Sequence, residues 1–204
     1  MKLFAATLAA LAMSVLPSVA RAIEEPAYKV VQMLDGAEVR EYAPTIVAEV
    51  SVPGPADEAA NQGFRLLAAY IFGANRGERK IAMTAPVTQA VEPAKIAMTA
   101  PVTQSAEAGG HVIQFTMPSA YTMETLPLPT DPRVRLREVP STRQAVIRYS
   151  GFWTEANNRE QLARLQKALQ TAGLKPAGEP VYARYDPPWT PWFMRRHEIW
   201  LRLP

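Results

Sequence analysis

The chain has 204 residues, no cysteine, only two histidines, and a formal net charge of +3 from 22 basic and 19 acidic residues. The missing cysteines exclude disulfides, thiolate ligands to zinc or haem iron, and cysteine nucleophiles, and His111 and His197 are too few for a zinc site of the ordinary kind. The small net charge falls close to neutral once Lys2 and Arg21 leave with a leader, so it does not argue for a nucleic-acid partner.

The leader is residues 1–22. Lys2 supplies a positive start, residues 3–16 are an apolar run too short to span a bilayer, and Ala20-Arg21-Ala22 has the small-residue pattern of a signal-peptide cleavage site. The expectation is a signal peptide cut before Ile23, a single domain over residues 23–204, a periplasmic or secreted location, and no stable membrane insertion after cleavage.

Residues 28–34 and 38–43 read as strands, and Asp35-Gly36 between them is a strong hairpin signal. Pro44 ends the second, and residues 45–52 resume a β-rich pattern until Pro53-Gly54-Pro55. Residues 56–72 form the first good helix, with Asp57 placed to cap it and Gly73 to close it. Ala60, Phe64, Leu67 and Ile71 recur at helical spacing and predict its buried stripe. Ala68 and Ala69, beside Leu66 and Tyr70, spread apolar character onto a second side. That side is either sandwiched in a core or presented to a ligand or partner.

Residues 80–89, KIAMTAPVTQ, recur unchanged as residues 95–104. Alternation of Ile81, Met83, Ala85 and Val87 with Ala82, Thr84, Pro86 and Thr88 is strand-like, and Pro86 and Pro101 push such segments towards an edge, a bulge or a strand end. The reading is a hairpin in which one copy belongs to the sheet and the other extends its edge. Residues 111–117 are a strand after the turn Ala108-Gly109-Gly110. Residues 126–132, LPLPTDP, are a rigid extended joint between two halves of one domain.

The second half repeats the layout of the first. Residues 133–139 and 143–149 are strands, with Arg133, Arg135 and Arg137 on a wet face. A helix covers about residues 155–172, with Thr154 or an Asn158/Gln161 capping box at its start and Leu162, Leu165 and Leu169 as its stripe. Residues 181–185 and 198–203 are closing strands. Between them, YDPPWTPWFMRR places Trp189, Trp192, Phe193 and Met194 on a proline-rich loop, where they either plug the core or form the wall of an aromatic pocket. Strands around one helix, twice over, predict an α+β fold with internal pseudo-symmetry.

Several separated segments resemble the SOUL family of haem-binding proteins. Residues 38–42 (EVREY) look like its opening motif, residues 80–87 (KIAMTAPV) its most recognisable stretch, and residues 185–189 (YDPPW) with 195–200 (RRHEIW) its C-terminal signature. The resemblance implies a pseudo-two-fold distorted antiparallel β-barrel with two flanking helices. It implies a monomeric tetrapyrrole-binding module, binding haem or another porphyrin, with no established catalytic residues. The expected ligand site is a shallow apolar groove along the first helix, bordered by the loop near the C-terminus. On this chain those positions are Asn61, Phe64, Arg65, Ala68 and Ala69 on the helix and Trp189 and Thr190 on the loop. Arg65, Arg195 or Arg196 would meet the carboxylates of a porphyrin edge.

The chain departs from the family pattern in that Asn61 and Ala69 stand where some members carry a basic residue, and Glu41 where others carry a histidine proposed to bind iron. His197 reads as structural, His111 as exposed, and Met83 or Met98 as soft ligands or core. Weak or absent axial ligation is therefore expected. The leading expectation is an exported, non-catalytic carrier or scavenger without nucleic-acid partners. The alternatives are a small-molecule hydrolase or effector-binding module of the same wider fold group, with Glu41 as general base, and a protein-interaction module using the surface of residues 189–194.

Overall fold

Asp35-Gly36 turns the chain between β1 (Tyr28–Leu34) and β2 (Ala37–Tyr42), with Gly36 at a φ of 70° that a side chain would resist. This is the start of the described fold: the computed structural model describes residues 23–77 and 93–204. The remaining elements are β3 (Thr45–Pro53), α1 (Ala56–Ile71), β4 (Asn75–Arg76), β5 (Val102–Glu107), β6 (Gly110–Thr116), β7 (Leu128–Pro129), β8 (Arg135–Val139), β9 (Thr142–Tyr149), α2 (Glu155–Thr171), β10 (Ala177–Arg184) and β11 (His197–Leu203). β4 and β7 pair as a short ribbon, so the predicted joint at residues 126–132 is docked, with Leu126 fully buried beneath it.

The other nine strands form one antiparallel sheet in the order β1-β2-β9-β11-β10-β5-β6-β3-β8, curled into a half-barrel. Its symmetry is legible in that order. β2-β3-α1-β5-β6 and β8-β9-α2-β10-β11 are equivalent units, related about the β10/β5 seam. Each unit sends its leading strand into the other's half: β2 pairs with β9, and β8 pairs with β3. The expected pseudo-two-fold α+β barrel with two flanking helices is therefore observed.

Both helices cover the same face of the sheet, by two separate cores. α1 packs on β3 and β6 through Leu67, Tyr70 and Ile71 against Val50, Ile113 and Phe115. α2 packs on β2, β9 and β11 through Leu165 and Leu169 against Val39, Ile147 and Ile199. A fully buried leucine such as Leu67 or Leu165 contributes about 2–3 kcal/mol. The α2 start is the predicted one: Thr154 accepts from Asn157 N at 3.2 Å, a cap worth about 1 kcal/mol. Asn158 forms no capping box; its Oδ1 accepts from Tyr149 Oη at 2.8 Å.

α1 departs from expectation in two ways. Its N-cap is Pro55, without a side-chain bond, and Asp57 lies in the first turn, where its charge suits the helix dipole. Its buried stripe is Ala59, Gly63, Leu67, Tyr70 and Ile71, shifted by one position from Ala60 and Phe64. The cause is Gly63, which lets the helix settle onto Ile113 and rolls Phe64 out of the core.

Of the repeated segment, the second copy reaches the sheet, as expected of one of the two. The first copy lies outside the described residues. In the second, residues 95–98 form no strand. Thr99 makes an isolated bridge to Glu24, and β5 begins only at Val102. β5 then runs between β10 and β6, so this copy enters the centre of the sheet and not its edge. Met98 is partly exposed, not core.

Candidate functional site

The rolled stripe gives α1 its outer face. Asn61, Phe64, Arg65 and Ala69 are exposed and Ala68 is half-buried, so all five helix residues expected at the site share one continuous surface. Phe64 stands 41% exposed, with its ring edge-on to Phe115 at 5.5 Å. It therefore belongs to the face and not to the core. Ala68 and Ala69 leave the backbone accessible to a flat ligand. Beside them Leu66, Ala69, Tyr70, Ala74 and Thr130 line a groove of about 530 Å³, bordered by Arg133. Arg133 is paired with Asp131 at 2.6 Å, which holds that carboxyl down at about 2. Among the described residues Arg65 makes no ion pair, which leaves it the better partner for a ligand carboxylate.

The two loop residues stand apart from the helix in sequence and differ in setting. Trp189 is 82% exposed. Thr190 is half-buried, its N–H donating to Pro187 O and its carbonyl accepting from Arg195 Nε at 2.7 Å. The loop emerges from β10, whose last residue Arg184 approaches Asp57 in the first turn of α1 at 3.9 Å. Arg184 lies over the Trp153 ring at 3.9 Å, and burial pulls its pKa down. Arg195 is committed to loop carbonyls and Arg196 to Glu25 and Glu198, so neither is placed as the ligand's cation.

A larger cavity, about 710 Å³, lies elsewhere, between residues 24–27 and the segments around Ile46, Met117 and Pro140. Its lining includes Glu24, Glu25 and Glu138 and no lysine or arginine. A ligand whose edge carries carboxylates would meet repulsion there. The one acid that lines the smaller groove, Asp131, is paired with Arg133, so such a ligand would meet less repulsion there, despite the groove's size.

The opposite face of the sheet holds what the sequence did not advertise. Glu198 is fully buried, and its two oxygens accept from Arg40 Nη1, Arg196 Nε and Nη2, Tyr185 Oη at 2.7 Å and Trp200 Nε1 at 2.8 Å. Burial alone would pull Arg40 down, but Glu198, Tyr42 and Glu38 hold its pKa above the usual arginine value. Burial pushes Tyr185 up, and the charge of Glu198 pushes it further. Arg40 stacks on Tyr28 at 4.3 Å and Arg196 on Tyr185 at 3.6 Å, completing a closed network of charge and rings. The only signal for it was polar residues alternating inside otherwise apolar strands.

The remaining candidates resolve plainly. Glu41 is exposed on β2 and lines neither of the two cavities described above. His197 is buried between Tyr149 and Trp153, with Nε2 3.2 Å from Gly151 O, so it is structural as expected. Burial pulls its pKa down, against the carbonyl of Gly151. His111 is half-buried and not exposed. Among the described residues no cluster of His, Cys, Asp or Glu could hold a metal ion.

Residues 23–202 match the family described as SOUL heme-binding protein. The chain belongs to this family. It is 32% identical over 189 residues to the human protein named heme-binding protein 2, covering 89% of this chain and 87% of that one. It is 27% identical over 149 residues to heme-binding protein 1 of Sus scrofa, covering 72% of each. These relatives are named as binding proteins and not as enzymes. Among solved structures, the C-terminal domain of EcmrR superposes with a TM-score of 0.58 at 11% identity, over 85% of this chain and 99% of that one. A hydrolase from Listeria innocua superposes at 0.54 and 13% identity, over 82% and 91%. At such identities the likeness is one of fold. On this fold α1's outer face carries small apolar residues and Arg65, which makes no ion pair among the described residues.

Proposed function

We propose that this SOUL protein binds haem or a related tetrapyrrole on the outer face of α1, and that it acts after export as a non-catalytic carrier or scavenger. The observation that carries the reading is the solvent-facing surface of Asn61, Phe64, Arg65, Ala68 and Ala69, two alanines wide, with an arginine that makes no ion pair among the described residues; the loop of Trp189 and Thr190 is the border that the family resemblance would give it. Flat apolar surface suits the macrocycle, and Arg65 suits a propionate. When bound, haem would supply its own iron chemistry. Asn61, Phe64, Arg65, Ala68 and Ala69 include no histidine or methionine for the iron, so their part is to hold the ring by its plane and its edge. Weak axial ligation fits a carrier that must release its cargo.

The hydrolase alternative loses support. Its named base, Glu41, is solvent-exposed, and the buried Glu198 has its acceptor positions taken by two arginines, a tyrosine and a tryptophan. Export is supported by the leader pattern in residues 1–22.

The test is a haem titration of residues 23–204 followed by the haem absorption band, with Ala69→Trp alongside. Saturable one-to-one binding, lost in Ala69→Trp, is the expected result. No saturable binding, or binding that Ala69→Trp leaves intact, would remove α1 as the haem site.

A further inference from the structure

The loop of residues 186–196 carries an apolar ridge that the fold holds outward. Trp189, Trp192, Phe193 and Met194 are all exposed, the last two by 61% and 64%, and Phe152 before α2 joins them at 58%. Phe152 and Trp192 stack at 5.3 Å, and Phe193 meets Trp192 edge-on at 5.6 Å, so the rings are continuous. A free loop with this composition would collapse and bury its rings. This one is pinned. Pro187, Pro188 and Pro191 fix its backbone, Asp186 accepts from Arg196 N, Arg195 donates to the carbonyls of Pro188 and Thr190, and Gly151 N donates to Trp192 O at 3.1 Å. Its polar groups are satisfied inward and its rings are left in water.

Charge selects the occupant. Residues 187–195 contain no acid. Asp186 is spent on the loop's own backbone, and Glu155 on Arg159. Arg195 within the loop has no carboxylate partner among the described residues. Exposed rings with an arginine that no carboxylate pairs, on a stretch free of acids, suit the boundary between acyl chains and anionic headgroups, where indole is favoured and basic side chains are attracted. We propose that this ridge docks the protein reversibly on an anionic phospholipid surface. The docking needs no spanning segment: among the described residues no helix is long and apolar enough to cross a membrane. The part of the ridge formed by Phe152, Trp192, Phe193 and Met194 is separate from the residues assigned to haem, with which the ridge shares only Trp189.

The test is co-sedimentation of haem-free residues 23–204, the stretch that contains every described element, with vesicles of phosphatidylcholine alone or mixed with phosphatidylglycerol in equal parts. The expected result is partition onto the mixed vesicles, weaker by about tenfold on phosphatidylcholine alone and at high salt, with a blue shift of tryptophan emission. The double variant Phe193→Ser, Met194→Ser should lose about tenfold in partition while keeping its far-ultraviolet dichroism and its haem titration. No partition onto mixed vesicles, or equal partition of the double variant, would overturn the proposal. Concentration-dependent self-association without vesicles, abolished by the same variant, would also overturn it by assigning the ridge to a second copy of the chain. Loss of haem binding with docking intact would fault the groove alone.

Discussion

Gly63 of α1 lies against Ile113 of β6 so closely that a Cβ on Gly63 would stand 2.3 Å from Ile113 Cγ1 and 2.7 Å from its Cβ. This contact sets the roll of the helix, and with it which residues reach solvent. Gly63→Ala would gain helix propensity but would have to push α1 off the sheet. The expected cost is about 2 kcal/mol in chemical denaturation, together with weaker haem binding, because the α1 face turns with the helix.

Arg65 is the cation assigned to the ligand's edge. Arg65→Glu should lower haem affinity by about tenfold in the absorbance titration and leave the unfolding midpoint nearly unchanged, since the side chain is exposed. An equal loss with Arg133→Gln would show that the ion pair with Asp131 does not keep Arg133 from the ligand.

Glu198 counters two guanidinium groups away from water. Glu198→Gln keeps the shape and removes the one fully buried charge that Arg40 and Arg196 share, leaving each with a single, more exposed carboxylate, Glu38 and Glu25. The expected loss is about 3 kcal/mol in urea unfolding, with haem affinity unchanged.

His197 makes stability depend on pH. Its folded pKa is depressed by burial below the unfolded value of about 6.5, so the unfolded chain binds the proton more readily. The stabilisation is complete above about pH 6.5 and declines as pH falls through the lower folded value. The urea midpoint should therefore drop between about pH 7.5 and about pH 5. His197→Gln should flatten that change. Glu49 and Asp131, whose pKa values are also lowered, contribute only at more acid pH.

Deleting residues 90–104 should preserve both fold and haem affinity. The second copy supplies the entry to β5: Gln104 Nε2 donates to Ala56 O, and Ile96 N donates to Ile71 O. The first copy carries the same residues in the same order, and deleting residues 80–94 instead would yield the identical polypeptide. Unfolding and titration of that single-copy chain should match those of the parent. A loss of fold would mean that the β5 slot depends on the residues between the copies.

Much of the architecture could be read from local chemistry. Asp35-Gly36 announced its hairpin, Thr154 its cap, and the apolar periods both helices. What escaped depends on contacts distant in sequence. A glycine gives no hydrophobic signal, so Gly63 was invisible and the apolar period put Phe64 on the buried stripe, while the family resemblance put it at the groove. Arg40 and Glu198 lie 158 positions apart, and only strand pairing brings them together. Two identical copies of a segment cannot be ranked by their own residues. The helix part of the candidate site was legible because small apolar residues spread past one stripe. The exposure of Trp189 and Trp192 was not, because composition does not tell a docked ring from a pinned one.

The exchange of leading strands has a mechanical outcome. Since β2 completes the half that carries α2 and β8 the half that carries α1, a cut at residues 126–132 would leave two fragments, each holding a strand that the other needs. Neither should keep a stable core alone, yet mixed together they should reassemble. A ligand on α1 would therefore brace α2 as well: protection from hydrogen exchange should rise across both helices in step when haem binds, although only one of them touches it.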